Sequence, residues 1–230
     1  MIKKGIQIVS LFLFCFQVNS QSKNDSLAVN FHLEFDKLPF ELNKKYISQA
    51  NDTLMIETFR CYISNIQIQY ADNSVFTQKE SYHLLDLENP NSFQIPITKK
   101  SDKLISKITF NIGIDSLINT SGAMAGDLDP IKGMYWAWQS GYINMKIEGK
   151  SPSCKTRKNE FLFHLGGYLQ PYYAMRKLEI NYNSNNNVNI GIDLKEFFSN
   201  IKLAQMNSVM IPGKLAIELA NDSIKMFHLE

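Results

Sequence analysis

The chain has 230 residues, 44% of them hydrophobic and 20% charged, so it is long enough to bury the core of one globular domain. Its 24 Lys and Arg residues nearly balance its 22 Asp and Glu residues, which leaves a formal net charge of +2. This balance, without a dense run of Lys and Arg, argues against a protein that binds nucleic acid. The composition therefore favours a single globular domain with no nucleic-acid partner.

The first 21 residues have the composition of a secretory signal peptide. Two lysines precede an apolar run from Ile6 to Val18, and small and polar residues follow it. The run is shorter than the ~20 residues that a membrane-spanning helix needs. Cys15 would suggest a lipoprotein, but Phe14 stands before it, where lipid attachment needs a small residue. We therefore predict cleavage near residues 20–22 and one exported domain, residues 22–230, without a membrane span, in the periplasm, on the cell surface or secreted.

Cleavage would leave two cysteines, Cys61 and Cys154. Exported proteins meet an oxidising compartment, so a disulfide between these residues is one interpretation. Two free thiols are the other, because Cys61 lies in an apolar run, where buried thiols are common. The sequence contains no CxxC motif and no zinc-ligand spacing. The cysteines therefore indicate no function.

Most of the mature chain has the residue pattern of β-strands. Residues 27–35 alternate apolar and polar side chains, and residues 52–70 are rich in β-branched and aromatic residues. Further strand-like segments follow at residues 75–77, 81–87, 103–114, 142–148, 160–165, 177–182 and 187–192. The last two flank an Asn-rich turn and predict a hairpin. Short strands at regular spacing predict an all-β fold, specifically an antiparallel β-sandwich.

Two helical segments and one long loop interrupt the predicted strands. A short helix is expected from Asp193, a suitable N-cap, to Phe198, and a minor C-terminal helix from Ala216 to Phe227. Residues 115–129 form a long stretch rich in Ser, Gly, Asp and Asn. Long loops in compact domains often carry function. This loop leads directly into the segment that contains both tryptophans.

The tryptophans of the chain are Trp136 and Trp138, in one Trp-Ala-Trp triplet. If this segment is extended, residues two apart point to the same side, so the two indoles stand side by side. Indole rings favour burial, and a buried indole N–H needs a hydrogen-bond partner. A loop that delivers two indoles to the start of a strand is the most distinctive feature of the sequence.

Residues that could carry chemistry are few. The histidines are His32, His83, His164 and His228. Imidazole suits copper and zinc, but HxH and HExxH spacings are absent, as are a nucleophile elbow, a phosphate-binding loop and a dinucleotide-binding turn. Asp127 and Asp129 could hold calcium, although turn formation alone explains them. The sequence therefore indicates no enzyme, and each histidine alone is most simply a structural residue.

Five segments spread over the mature chain form a recognisable set. They are FRCYISNIQI (59–68), YHLLDLENP (82–90), the long run 111–149 that contains GMYWAWQSGY, FHLGG (163–167) and the terminal Met-Phe pair (226–227). Together they resemble the MbnP-like proteins, which are exported, mostly β proteins related to the copper-binding proteins MopE and CorA of methane-oxidising bacteria. The methanobactin-linked branch of that family has additional cysteines and a histidine in the segment that here contains Thr120.

The resemblance implies a mononuclear copper site of two histidines and a kynurenine, which a partner di-haem oxidase similar to the MauG proteins makes from a tryptophan. Carried over to this chain, Trp136 or Trp138 is the residue to be oxidised. His164 of the FHLGG segment is the first candidate histidine ligand, His32 the second and His83 the third. The implied function is an exported protein that sequesters or handles copper. The alternative is a metal-free binding or structural module of the same fold, in the periplasm or on the surface.

Overall fold

The computed structural model describes residues 26–139 and 141–230. The predicted signal peptide and Cys15 lie outside the described residues. Within the described ranges, no helix is long and apolar enough to cross a membrane. These ranges form two β-sheets, with three short α-helices between strands in the chain.

Fifteen strands account for most of the regular structure in the described residues. In chain order they are β1 (Ser26–Phe35), β2 (Leu38–Pro39), β3 (Tyr46–Ile47), β4 (Thr53–Tyr70), β5 (Val75–Thr77), β6 (Tyr82–Asp86), β7 (Gln94–Lys99), β8 (Ile105–Ile112), β9 (Tyr135–Trp136), β10 (Gly141–Lys150), β11 (Glu160–Gly166), β12 (Arg176–Ser184), β13 (Val188–Asp193), β14 (Ser208–Val209) and β15 (Phe227–Leu229). The helices are α1 (Ser116–Thr120), α2 (Leu194–Phe197) and α3 (Lys214–Ser223). Single 3₁₀ turns occupy Pro90–Phe93, Gly126–Leu128, Pro130–Lys132 and Ile224–Met226.

The strands are divided between a smaller and a larger sheet. The smaller sheet has the order β15-β13-β1-β2, with β7 also paired to β1. The larger sheet has the order β12-β8-β4-β10-β11-β14, with β3, β5 and β6 paired to β4 and β9 to β10. The predicted all-β sandwich with a small C-terminal helix is confirmed. The pairs β1–β13 and β11–β14 are parallel, which adds two parallel contacts to an otherwise antiparallel arrangement.

Aromatic rings fill the space between the two sheets. Phe31 of β1 and Phe227 of β15 come from the smaller sheet, and Phe110 of β8 comes from the larger one. The Phe110 ring lies edge-to-face against Phe31 at 5.7 Å and against Phe227 at 5.9 Å between ring centroids. Alternation along β1 sends Phe31 inward, so His32 and Glu34 lie on the opposite face of the strand. The alternation along β1 therefore supplies apolar side chains to the core and polar side chains to the outer face of the smaller sheet.

The predicted hairpin between residues 177–182 and 187–192 is wrong. The strand β12 pairs with β8 in the larger sheet, whereas β13 lies between β1 and β15 in the smaller sheet. Asn187 lies at the crossing, and its side chain accepts a hydrogen bond from the backbone N of Ala28 at 3.1 Å. Val188, Ile190 and Ile192 are buried in the core. Burial of this apolar face against the larger sheet outweighs local pairing across the Asn-rich turn.

The helices follow the sequence prediction at their starts better than at their ends. Asp193 caps α2 as predicted, because its side chain accepts a hydrogen bond from the backbone N of Lys195 at 3.0 Å. The C-terminal helix ends at Ser223 rather than at Phe227, and Phe227 begins β15 instead. The long loop 115–129 contains α1, which is capped by Asp115 in the same manner. Pairing of β15 with β13 shortens the final helix.

Both described cysteines, Cys61 and Cys154, are free and buried, so the free-thiol interpretation is confirmed over the disulfide. Burial raises the pKa of each thiol above its ordinary value. A raised pKa keeps a thiol protonated and therefore weakly nucleophilic. The two cysteines act as small core residues.

Candidate functional site

The two tryptophans are neighbours in space, but one is buried and the other is exposed. Trp136 pairs with Gly141 across β9 and β10, and the backbone N of Gln139 then donates to the Trp136 carbonyl at 3.2 Å, which makes a turn. Trp136 is 7% exposed and Trp138 is 65% exposed. Their ring centroids are 5.8 Å apart, with the planes inclined at 44°. The indoles stand side by side as expected, but the strand ends at Trp136, which leaves Trp138 in solvent.

Gly166 of the FHLGG segment lies directly against the buried indole ring of Trp136. A Cβ atom added to Gly166 would lie 2.7 Å from Cζ3 of Trp136 and 2.8 Å from the carbonyl oxygen of Tyr142. The indole therefore rests on the backbone of β11, at a distance that any side chain would prevent. Gly166 is two residues beyond His164 on the same strand. The structure thus brings the strand that carries His164 against the Trp136 ring.

His164 is buried, and a carboxylate holds its ring. Its Nε2 atom lies 2.6 Å from Oε1 of Glu148, a residue of the neighbouring strand β10. The hydrogen bond from His164 is the main reason why the pKa of the Glu148 carboxyl lies below its ordinary value of 4.5, and Lys146 contributes in the same direction against the effect of burial. Metal-ligating histidines are commonly oriented by such a carboxylate. We call Trp136, Trp138, His164, Gly166 and Glu148 the tryptophan face.

The hydrogen bond between His164 and Glu148 gives a pH-dependent contribution to stability through the carboxyl group. Because the folded state lowers the pKa of Glu148, the stabilisation is present above the unfolded value, close to 4.5, and is lost as the pH falls through the folded value. We expect Glu148→Gln to lower the free energy of unfolding near neutral pH, and the difference from the wild type to shrink on acidification below 4.5. Urea unfolding over this pH range measures both effects.

The matched control for this prediction is Glu57→Gln, which removes an exposed carboxylate paired with Lys150 at 2.7 Å. An exposed pair of this kind contributes little to stability. A Glu148→Gln variant with the same unfolding free energy as the wild type at neutral pH would contradict the assignment.

Basic side chains anchor the loop that carries the tryptophans. His164, Lys146 and Arg60 occupy one row across β11, β10 and β4. The Nζ atom of Lys146 donates to the carbonyl of Gly133 at 2.6 Å, and Nη1 of Arg60 donates to the carbonyl of Lys132 at 3.2 Å. Neither residue was among those predicted from the sequence. A charged residue inside the apolar FRCYISNIQI run was the signal that could have found Arg60.

Carboxylates also hold this loop, through contacts to Arg60 and Lys132. Arg60 also pairs with Asp86 at 2.9 Å and with Glu88. Asp127 accepts from the backbone N of Leu84 at 3.0 Å and from Nζ of Lys132 at 3.1 Å. These contacts hold the Gly126–Leu128 turn against β6 and against Lys132.

The other two candidate histidine ligands lie elsewhere. The Nε2 atom of His83 contacts Oε1 of Gln78 at 2.9 Å, and burial lowers the pKa of this imidazole. His32 lies in the smaller sheet, where its Nδ1 atom is 2.6 Å from Oε2 of Glu230. Among residues 26–139 and 141–230, no three His, Cys, Asp or Glu side chains are grouped so as to hold a metal ion. The structure therefore places the strand that carries His164 against Trp136, and it gives His32 and His83 other hydrogen-bond partners.

Comparisons with known proteins agree with the architecture. The family model of MbnP matches residues 24–211. Among solved structures, MbnP from Methylosinus trichosporium superposes with a TM-score of 0.64 at 14% identity, covering 89% of this chain and 97% of that one, which shows a shared fold. No curated protein sequence matches the chain. Because the family match spans most of its length, the chain belongs to the MbnP family.

Proposed function

We propose that the chain is an exported protein that binds copper at the tryptophan face, with His164 as its imidazole ligand. The observation that carries the proposal is the contact between Trp136 and Gly166, two residues from a histidine whose ring is held by Glu148. Membership of a family related to copper-binding proteins supports the choice of metal. We propose a binding role rather than catalysis, because the tryptophan face holds no pair of acid and nucleophile.

The type of donor at this face fits copper, although the number of donors is small. Imidazole nitrogen and an aromatic amine are donors that copper accepts more readily than magnesium or calcium does. An intact indole N–H is a poor ligand, whereas opening the ring to kynurenine gives an aromatic amine. The face supplies one imidazole instead of the two that the resemblance implies, since His32 and His83 are bonded elsewhere. We therefore expect weaker copper binding than a site with two imidazoles would give.

We further propose that a di-haem oxidase similar to the MauG proteins converts Trp136 or Trp138 to kynurenine. The exposed ring of Trp138 is accessible to a docked enzyme, and its centroid is 5.8 Å from that of the buried Trp136 ring. Cleavage of the indole C2–C3 bond with dioxygen as the oxidant gives N-formylkynurenine, and hydrolysis then releases the formyl carbon as formate. Relative to tryptophan, the peptide gains one oxygen and loses one carbon, so its mass rises by about 4 units. Mass spectrometry of protein from its native source checks this. Two unmodified tryptophans in that sample would contradict kynurenine formation, while the role of His164 is tested separately.

The role of His164 is tested by copper titration. We expect His164→Ala to abolish one-to-one binding, and Glu148→Gln to weaken it by about 10–100-fold because the imidazole loses its orienting carboxylate. The measurement is competition with a chelator for Cu(I) and for Cu(II), on protein from the native source. The control variants His32→Ala and His83→Ala remove an imidazole away from the face and are expected to bind as the wild type does. Unchanged binding in His164→Ala would contradict the proposed ligand.

A metal-free binding or structural module is the second candidate function. The observation that favours it is the lack of a three-ligand group in the described part of the chain. For such a module, neither copper oxidation state would bind with one-to-one stoichiometry to protein from the native source. The same titration therefore separates the two functions.

A further inference from the structure

Exposed apolar side chains gather beyond the end of β11. Single exposed hydrophobic residues are normal in a folded protein, whereas a cluster of them marks an interaction site. Here the cluster comes from two segments, one that follows β11 and one that runs from β14 into the first turn of α3. Its members are 39–61% exposed, and we call them the apolar patch: Leu169, Tyr172, Met210, Ile211 and Leu215.

The two segments pack against each other at Gly167. A Cβ atom added to this residue would lie 2.2 Å from the carbonyl oxygen of Tyr172 and 3.2 Å from Cβ of Pro212. Pro212 lines both the groove of residues 167–172 and the groove of residues 208–216. The apolar patch is therefore one continuous surface. None of its members belongs to the tryptophan face, so the patch is independent of the proposed copper site.

The apolar patch carries almost no charge. Among the residues that the structure describes, no Asp, Glu, Lys or Arg lines the groove of residues 167–172. The groove of residues 208–216 has Lys214 at its margin. Nζ of Lys214 lies 3.7 Å from Oε1 of Glu218, one turn further along α3, and both side chains are exposed. A patch with this composition does not attract a polyanion such as nucleic acid.

The area of the apolar patch is sufficient for weak association. Complete burial of an aliphatic side chain removes roughly 60–120 Å² of apolar surface from water, and burial of an aromatic one roughly 150–250 Å². At the observed exposures, the five side chains together present roughly 300 Å². One partner in a standard interface contributes ~800 Å², of which a little more than half is apolar. The patch therefore supplies most of the apolar part of a small interface.

We propose that the apolar patch joins two copies of this chain about a two-fold axis. In such an interface the same surface faces itself, so a neutral patch meets its copy without repulsion between like charges. The charged margin is also self-complementary, because Lys214 and Glu218 have opposite signs and lie four residues apart on α3. Antiparallel approach of two α3 helices places Lys214 of each copy beside Glu218 of the other. This pattern favours a second copy over an unrelated partner.

Sedimentation velocity of the mature protein tests the proposal. The samples contain EDTA, so that no metal bridges two copies, and they span about 1 μM to about 1 mM protein. We expect a reversible equilibrium between monomer and dimer with a Kd of roughly 10–100 μM. A monomer throughout this range would overturn the proposal. Assembly beyond the dimer would also overturn it, because a two-fold interface closes.

Ile211→Asp tests whether the apolar patch is the interface. Because Ile211 is 61% exposed, the substitution should leave folding intact, whereas burial of a carboxylate between two copies should raise the Kd at least about tenfold. The matched control, Ile131→Asp, changes an isoleucine that is 89% exposed and lies outside both grooves, so its Kd should equal that of the wild type. A folded Ile211→Asp variant with the wild-type Kd would refute the assignment.

Charge reversal at the margin tests the two-fold geometry. Lys214→Glu and Glu218→Lys each place like charges opposite each other across the axis, so each variant alone should dimerise about three- to tenfold more weakly at low salt. An equimolar mixture of the two variants restores opposite charges and should form a mixed dimer with the wild-type Kd. An ion pair confined to one helix does not produce this recovery. Absence of recovery in the mixture would contradict the antiparallel approach of α3.

Contact with a lipid membrane is the competing explanation of exposed apolar side chains. Flotation with vesicles of phosphatidylethanolamine and phosphatidylglycerol measures such contact. Protein that floats with the vesicles, stays monomeric in solution and loses flotation in Ile211→Asp would overturn the proposal in favour of a membrane surface.

Discussion

Replacement of Phe110 by alanine is expected to lower the free energy of unfolding by about 3–5 kcal/mol. The Phe110 side chain is fully buried, and its ring contacts Phe31 and Phe227 of the opposite sheet edge-to-face. Truncation therefore removes apolar burial and both ring contacts at once, and it leaves a cavity between two sheets that strand pairing prevents from closing. Urea unfolding, followed by circular dichroism, measures the change.

Two controls separate packing from a general effect of substitution. Phe110→Leu retains part of the buried volume and should lose clearly less stability than the alanine variant. Leu117→Ala truncates a side chain of α1 that is mostly exposed, so a change within about 0.5 kcal/mol is expected. A Phe110→Ala variant that lost less than about 1 kcal/mol would show that the two sheets do not depend on this contact.

Asp193→Ala is expected to cost about 3–5 kcal/mol, because one buried carboxylate satisfies three backbone N–H groups. Its Oδ1 atom accepts from Asp36 at 2.9 Å and from Lys195 at 3.0 Å, and Oδ2 accepts from Lys37 at 3.1 Å. Asp36 and Lys37 form the turn between β1 and β2 with φ of 59° and 62°, so the carboxylate stabilises an otherwise unfavourable backbone conformation. The same side chain begins α2. Chemical denaturation of the variant measures the loss.

Asp115→Ala is the comparison, because it removes a helix cap and one hydrogen bond from a tyrosine but no contact to a turn between strands. Asp115 caps α1 through a hydrogen bond from the backbone N of Ile118 at 3.0 Å, and Tyr82 also donates to it. A loss of about 1 kcal/mol is typical of a cap. Asp193→Asn keeps one acceptor oxygen and should fall between the wild type and the alanine variant. Equal losses in Asp193→Ala and Asp115→Ala would mean that the turn contacts contribute nothing.

Several elements were predictable from the sequence because their cause is local. Alternation of apolar and polar residues along 27–35 predicted β1, and Asp193 before an apolar pair predicted the start of α2. The Trp-Ala-Trp triplet predicted adjacent indoles, which the structure shows. The family segments predicted membership of the MbnP family. The first three of these follow from residues that are close together in the chain, whereas the family follows from segments spread along it.

Long-range contacts decided what the sequence did not specify. The partners of β12 and β13 lie in different sheets, and neither segment contains information about which distant strand will cover its apolar face. Trp136 packs against the backbone of Gly166, thirty positions away, because that residue has no side chain. Trp138 remains exposed. Likewise, Glu148 became the partner of His164, and Glu230 the partner of His32, through strand register.

The amino-acid sequence by itself therefore determined most of the longer strands, the start of α2, the indole pair and the family. Only the tertiary structure decided which strand lies against the buried indole and which carboxylates pair with His164 and His32. The physical reason is that local conformation depends on neighbouring side chains, whereas the composition of a site depends on sheet register, and register is set by burial of the whole core.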